Sequence, residues 1–456
     1  MTHNLPQRAY PVSVPLVTEP LGLWQSFRAA RENIVGIIPE LSTRQPIVSG
    51  KTGKRWHMIT DPEAIRTVLL ERVQAYPKSV VTKNLLKPAI GDSLFIAEGA
   101  QWRWQRRTTA PVFSHRNVMN LAPIMSDTAD RCAQRIAQAG PHRAVNLFDE
   151  MVTTTFDVIS DVTFSGDGSF DRTIVHQAID AYIDKAGKVS LLDILGVPDW
   201  VPRPARMSSE SGMIDMKQMA DAAIDARAQR GPGAVPDLLD LLQTGEDPKT
   251  KRKMTTAEIR DNLLAFIVAG HETTALALSW ALYLCAFDQD VQTRAQEEVR
   301  SVLTDGRAAQ GSDVASLPFV RQVIEEALRL YPPAAMVSRT AQERDILCGT
   351  EILPGDTVIL PVYALHRSHL LWEDPDAFRP DRFADRASIN RYAYLPFGDG
   401  PRICIGASFA LQEAVIILAT LLSRFRFRAV KGRDPKPVMI LTLRPEGGVW
   451  LMAEPV

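Results

Sequence analysis

From Asn262 to Phe287 the chain reads NLLAFIVAGHETTALALSWALYLCAF, with a single ionised side chain, Glu272, near its middle. As a helix this stretch is long enough to cross a bilayer. A carboxylate at the bilayer centre costs about 2.5–3.5 kcal/mol on insertion scales. A lone mid-chain span flanked by amphipathic segments is also a poor membrane design. The stretch therefore reads as a helix buried on all sides, which requires a large helical protein around it. The chain has 456 residues, 45% of them hydrophobic, enough to build that core. Thr255, followed three residues later by Glu258, marks the helix start as a capping box.

The remaining pattern is mostly helical. Amphipathic periodicity predicts helices over 20–38, 62–76, 98–139 (interrupted at Pro111 and Pro123), 145–163, 171–187, 289–304 and 317–330. Pro332 and Pro333 end the last of these. VSGKTGKRWHMIT (Val48–Thr60) reads as a β-hairpin, and DIL, EIL and TVILPV as short strands. Pro354-Gly355-Asp356 is the turn between the last two. LGVPDWVPRPARMSSESG is a proline-rich loop, and a final helix runs from near Cys404 to about Phe425. The expected architecture is mainly α with small β-sheets, one domain over 1–456.

Charge excludes some functions. Lys and Arg number 52 against 53 Asp and Glu, a formal net charge of -1, which gives no electrostatic reason to expect nucleic acid. Cys132, Cys285, Cys348 and Cys404 form no CxxC pair, so neither a disulfide framework nor a zinc site is expected. The N-terminus has prolines and charges but no apolar core. It reads as neither signal peptide nor membrane anchor, and a cytoplasmic location is expected.

Chemistry concentrates in LPFGDGPRICIGASFALQEA. Cys404 lies at the mouth of a helix, where partial positive charge and free N–H groups favour a thiolate. Gly398 and Gly400 let the loop turn, Gly406 leaves room for a flat group, Arg402 offers a fork to a carboxylate, and Phe397 can shield the sulfur. In EEALRLYPP, Glu326 and Arg329 are spaced to pair on one helix face. In AGHETT, the Thr273 hydroxyl can return to the Ala269 carbonyl and bend the long helix. In WRWQR, Trp102 and Arg106 share a face.

FGDGPRICIG resembles the haem-binding loop of the cytochrome P-450 superfamily, F-x-x-G-x-[RH]-x-C-x-G, at Phe397, Gly400, Arg402, Cys404 and Gly406. EEALRL resembles the family's E-x-x-R motif, FRPDRF its later arginine motif, AGHETT its A-G-x-[DE]-T-[TS], and WRWQR its W-x-x-x-R. The resemblance spans Trp102 to Gly406 and implies the P-450 fold, a triangular helical prism with a β-rich side region. It implies haem b, with Cys404 as thiolate ligand to the iron. Trp102, Arg106, Arg339 and Arg402 would meet the haem propionates, and His366 would lie near the haem edge. Glu326, Arg329 and Arg382 would form a structural network. Glu272 and Thr273 would manage protons at bound dioxygen, while His271 falls at a variable position and reads as core or surface polar.

The implied activity is a soluble, bacterial-type monooxygenase. Dioxygen, two electrons and two protons would convert an apolar substrate into hydroxylated product and water. With no reductase segment expected in the chain, electrons would pass from NAD(P)H through a separate ferredoxin or flavodoxin. Arg103, Arg107, His115 and Arg116 are candidates for docking it. A peroxide-driven peroxygenase and a haem sensor are the rival readings. The resemblance implies a substrate pocket of Val268, Ala269, Ala334, Met336, Val337 and Leu441. The loop near Val80–Phe95 and the region Ile179–Met216 would contribute to it. That lining favours a lipophilic or aromatic substrate.

Overall fold

The computed structural model describes residues 10–164, 175, 178, 179, 181 and 210–456, apart from 234. Most of the expected helix over 171–187 and most of the proline-rich loop lie outside the described residues.

The long helix spans Thr256–Phe287 and is buried along most of its length. The Thr255 backbone N–H donates to Glu258 Oε2 at 2.9 Å while the Thr255 hydroxyl accepts from the Glu258 N–H, so the capping box forms. Against this helix pack Leu147–Phe164, Glu210–Arg230, Pro318–Leu330 and Ala407–Arg424. Their facing side chains, with Met125, Trp280 and Ile324 among them, merge into one main core.

A second core lies under a four-stranded sheet ordered Ile47–Thr52, Lys54–Ile59, Thr357–Leu360, Val337–Thr340. The first pair is the expected hairpin, turning at Gly53 with φ 74°. Asp345–Leu347 pairs with Thr350–Ile352. Gly355, at φ 90°, makes the turn into the next strand.

Several boundaries differ from expectation. The 20–38 pattern is a helix over Leu23–Glu32 and a 3-10 turn over Ile34–Ile37. Asn33 breaks it because its side chain donates to the Pro437 carbonyl and accepts from the Met439 N–H, so tertiary contacts override periodicity. The 62–76 pattern is a short helix, Pro62–Arg66, followed by a π turn, Thr67–Glu71. Pro111 does interrupt the 98–139 pattern, but Pro123 sits inside the continuous helix His115–Ala139. Val80–Ile90 is a helix, not a loop. Glu210–Arg230 was not anticipated, and its first residues overlap the end of the expected loop. Ala144–Asn146 and the C-terminal strands Phe425–Ala429, Lys436–Met439, Leu443–Glu446 and Trp450–Pro455 were also missed. They are short, and their partners lie far away in sequence.

Candidate active site

A cavity of about 1200 Å³ opens between the long helix, the four-stranded sheet and the loop before Ala407–Arg424. It gathers residues from distant motifs: Trp102, Arg106, Thr273, Arg339 and Cys404 all border it. So do Phe397, Arg402 and Gly406, and so do the six expected pocket residues, Val268, Ala269, Ala334, Met336, Val337 and Leu441. Of the Ile179–Met216 region, 180 and 182–209 lie outside the described residues, while Ile179 and Met216 are buried in the main core.

The cysteine loop is shaped by its glycines. Gly400 has φ 71°, and an added Cβ would collide with the Leu69 carbonyl, so only glycine lets the loop lie on that backbone. The Cys404 N–H donates to the Phe397 carbonyl at 2.9 Å and closes the loop. The sulfur opens onto the cavity. Burial pushes the thiol up, opposed by a hydrogen bond from the Gly406 N–H and by the charges of Arg106 and Lys78. In the free protein desolvation outweighs that hydrogen bond and those charges. A coordinated metal ion reverses the balance, because a coordinating thiol is deprotonated outright.

The donor set fits an iron porphyrin. Beside the sulfur, a Cβ added at Gly406 would have only Phe113 within 4 Å, at 3.9 Å, which leaves a flat wall. Around the same end stand Lys78, Arg106, Arg339 and Arg402. Among them, Glu98 pairs with Arg402 and accepts from the Lys78 backbone N–H, and it is shared with Lys83 at 3.3 Å. The Arg402 guanidinium also lies 4.6 Å from the Trp102 ring centroid. Burial, then repulsion from Arg339 and Arg402, lowers Lys78 to about 7, and burial lowers Arg339 to about 10. Four desolvated cations against one carboxylate match a group bearing two carboxylates. Lys78 escaped the sequence reading because it lies outside every motif.

Beneath the loop, Arg329 donates from Nε and Nη2 to Glu326 at 2.6 and 2.8 Å, and both side chains are fully buried. Its remaining donors reach the carbonyls of His366, Pro375 and Ala377. Glu326 also accepts from the Arg379 N–H and from Arg382 Nε at 3.3 Å. His366 is corrected. It does not border the cavity but lies wholly buried, donating from Nδ1 to the Arg329 carbonyl and accepting at Nε2 from the Leu395 N–H. Burial, helped by the Arg329 charge, lowers it to about 3, so it stays neutral and ties the Glu–Arg helix to the cysteine loop.

On the long helix, the Thr273 hydroxyl donates to the Ala269 carbonyl at 2.8 Å. Glu272 is buried and accepts from the Thr442 hydroxyl at 2.9 Å and from Arg444. The structure fastens it to the C-terminal strands, which no local signal marked. His271 turns into the core, donating from Nδ1 to Ile267, edge-on to Phe156. Among the docking candidates, Arg107 is corrected: both its Nε and Nη2 are committed to the buried Asp247, whereas Arg103, His115 and Arg116 are exposed.

Beside the long helix, Glu413 is 2% exposed and its Oε1 has no partner. Burial raises this carboxyl from 4.5 to about 8. The native state then holds a proton that the unfolded chain releases above its own pKa, so stability is full below about 4.5 and falls as pH rises to about 8. Glu413→Gln should remove that fall and stabilise the protein at pH 7 by roughly 3 kcal/mol. Urea unfolding between pH 5 and pH 8 checks this. A wild-type profile parallel to the variant's would place an ionised Glu413 in the fold.

The sequence matches the cytochrome P450 family profile over residues 18–452. The chain belongs to the cytochrome P450 family. It is 32% identical over 443 residues to a cytokinin hydroxylase of Arabidopsis thaliana, covering 92% of this chain and 84% of that protein. To the cyclooctat-9-en-7-ol 5-monooxygenase of Streptomyces melanosporofaciens it is 31% identical over 428 residues, covering 92% and 90%. The crystal structure of the cytochrome P450DA heme domain superposes with a TM-score of 0.80 at 26% identity, covering 90% of each chain. The protein is thus a P450 monooxygenase with the P450 fold. Membership implies haem, dioxygen and a redox partner.

Proposed function

We propose that this P450 hydroxylates a lipophilic substrate with electrons drawn from NAD(P)H through a separate ferredoxin or flavodoxin in the cytoplasm. One observation carries the reading: a single cavity holds the Cys404 sulfur, the Thr273 hydroxyl and the apolar wall of Val268, Ala269 and Leu441. Four free cysteines suit a reducing compartment. Bound in the cavity, haem supplies the activation of dioxygen for insertion of one oxygen atom into a C–H bond.

The chain's own residues do the rest. Cys404 would hold the iron, and Arg106, Arg339, Arg402 and Lys78, which line the same cavity, would offset the two haem carboxylates, with the Trp102 ring against the Arg402 guanidinium. Thr273 spends its proton on Ala269, so its oxygen lone pairs remain to hold a water facing the cavity. Glu272, fixed by Thr442 and Arg444, supplies that water with protons. Arg103, His115 and Arg116 receive the electron donor. Raised salt should slow the protein's reduction by the donor.

Thr273→Ala should keep haem content and substrate affinity while reducing equivalents pass to hydrogen peroxide instead of product. The measurement is product and peroxide formed per NADPH consumed, with a ferredoxin or flavodoxin system present. Full coupling in the variant would make this turn a packing element and move the proton route elsewhere.

A further inference from the structure

The hairpin of Ile47–Thr52 and Lys54–Ile59 sets Ser49 directly across from His57. The Thr60 N–H donates to the Pro46 carbonyl at 2.9 Å, so by alternation the bonded pairs are Pro46 with Thr60, Val48 with Met58 and Gly50 with Trp56. Ser49 and His57 are then a non-hydrogen-bonded pair, the kind whose side chains approach most closely. The Ser49 hydroxyl lies 2.7 Å from His57 Nδ1. Across the ring, His57 Nε2 lies 3.1 Å from Asp356 Oδ2, at the turn that enters the strand Thr357–Leu360. That strand runs parallel to Lys54–Ile59, so the three side chains come from three neighbouring segments of one sheet.

The role of each group follows from its chemistry. The Asp356 carboxylate accepts from the Leu353 N–H at 2.8 Å and lies 3.3 Å from Arg55 Nε, which fixes it in the turn. As an acceptor it sets the imidazole proton on Nε2 and leaves the Nδ1 lone pair to the Ser49 hydroxyl. His57 and Asp356 are buried, whereas Ser49 is exposed and borders the cavity. A hydroxyl open to ligands, a base within hydrogen-bond reach and a buried group that orients the base are the parts of an activated nucleophile. Ile47–Thr52 is the edge strand of its sheet, and a residue of a non-hydrogen-bonded pair turns its N–H outward there. The Ser49 N–H thus stands outside the ladder, beside its own hydroxyl, where charge develops on an attacked carbonyl.

We infer that Ser49, His57 and Asp356 form a second catalytic site, an esterase centre on the hairpin wall of the cavity for activated esters with an apolar acyl chain. Ser49 Oγ bonds to the carbonyl carbon while its proton passes to His57 Nδ1. The carbon–oxygen bond to the leaving alcohol then breaks, and that alcohol takes the proton from His57. Water repeats the two steps on the acyl-serine, releasing the carboxylic acid and restoring Ser49. No electrons are transferred, and the site goes beyond the monooxygenase reading because no step uses haem. Ile37, Leu41 and Val48 border the same cavity and offer the acyl chain an apolar surface. A single backbone donor for the oxyanion restricts the site to esters with good leaving groups.

The test uses the haem-loaded ferric protein with p-nitrophenyl acetate and p-nitrophenyl hexanoate and no reductant. Nitrophenolate release should continue well beyond one equivalent, and mass spectrometry of the quenched protein should find the acyl group on Ser49. Lysines that take up an acyl group are not regenerated, so they cannot sustain that release. Ser49→Ala should lower turnover by at least about 100-fold, the scale of acid–base assistance, with haem content and melting temperature unchanged. His57→Gln, scored at matched haem content, should lower it comparably, because an amide fills the buried position but cannot take the proton. Ser301→Ala removes an exposed hydroxyl that donates to the Glu298 carbonyl and should leave turnover unaltered. Turnover that survives Ser49→Ala or His57→Gln would overturn the proposal. So would release that stops at one equivalent with the acyl groups on lysines, which would leave the three side chains as a tie between hairpin and turn.

Discussion

Glu326→Ala should leave almost no folded, haem-loaded protein. Glu326 accepts two bonds from Arg329, one from the Arg379 N–H and one from Arg382, and it is wholly removed from water. An exposed i, i+3 pair is worth only about 0.2–0.5 kcal/mol, because water solvates either charge once the other is gone. Here water cannot reach Arg329, which is itself fully buried. Removing the carboxylate strands that charge and orphans two of its donors, at a cost of about 3–5 kcal/mol. Against a typical stability of 5–15 kcal/mol that is a large share. The contacts of Arg329 with His366, Pro375 and Ala377, and of His366 with Leu395, carry the damage to the cysteine loop. Arg321→Ala is the control, since Arg321 is half-exposed at 3.6 Å from Glu325 and its loss should change stability by less than about 0.5 kcal/mol. Melting temperature and haem content of purified variants test the pair. A Glu326→Ala protein with normal values for both would show the network to be dispensable.

What could be read from sequence followed the range of the interactions involved. The long helix was legible because its signal is local: an apolar run with a capping box at its start. The cysteine loop was legible because glycines at positive φ leave a mark that other residues cannot mimic. Glu326 and Arg329 are one helical turn apart, so their pairing could be anticipated, but nothing local shows that both are buried. The partners Thr442 and Arg444 of Glu272 arrive from 170 and 172 residues away. Lys78 meets the charges of Arg339 and Arg402 across still longer stretches of chain. His366 was misplaced for the same reason, because its neighbours Arg329 and Leu395 come from separate segments. The C-terminal strands are four to six residues each and pair with segments as distant as Ala144–Asn146, so composition alone did not distinguish them from loop.

Cys404→Ser should abolish thiolate ligation altogether. Cys132 and Cys285 are buried, with thiols pushed up to about 11 and about 12, and Cys348 is raised to about 11 on a distant hairpin turn. None of the three borders the cavity, so none can take over as ligand. A serine hydroxyl in the same loop keeps the fold of the glycines but is a far weaker donor of electron density to iron. The decisive measurement is the difference spectrum of the reduced protein with and without carbon monoxide, recorded for wild type and Cys404→Ser at matched haem content. The account predicts the strongly red-shifted carbonyl band of thiolate-bound haem in the wild type and its complete absence in the variant. The same band in both proteins, or in neither, would contradict it.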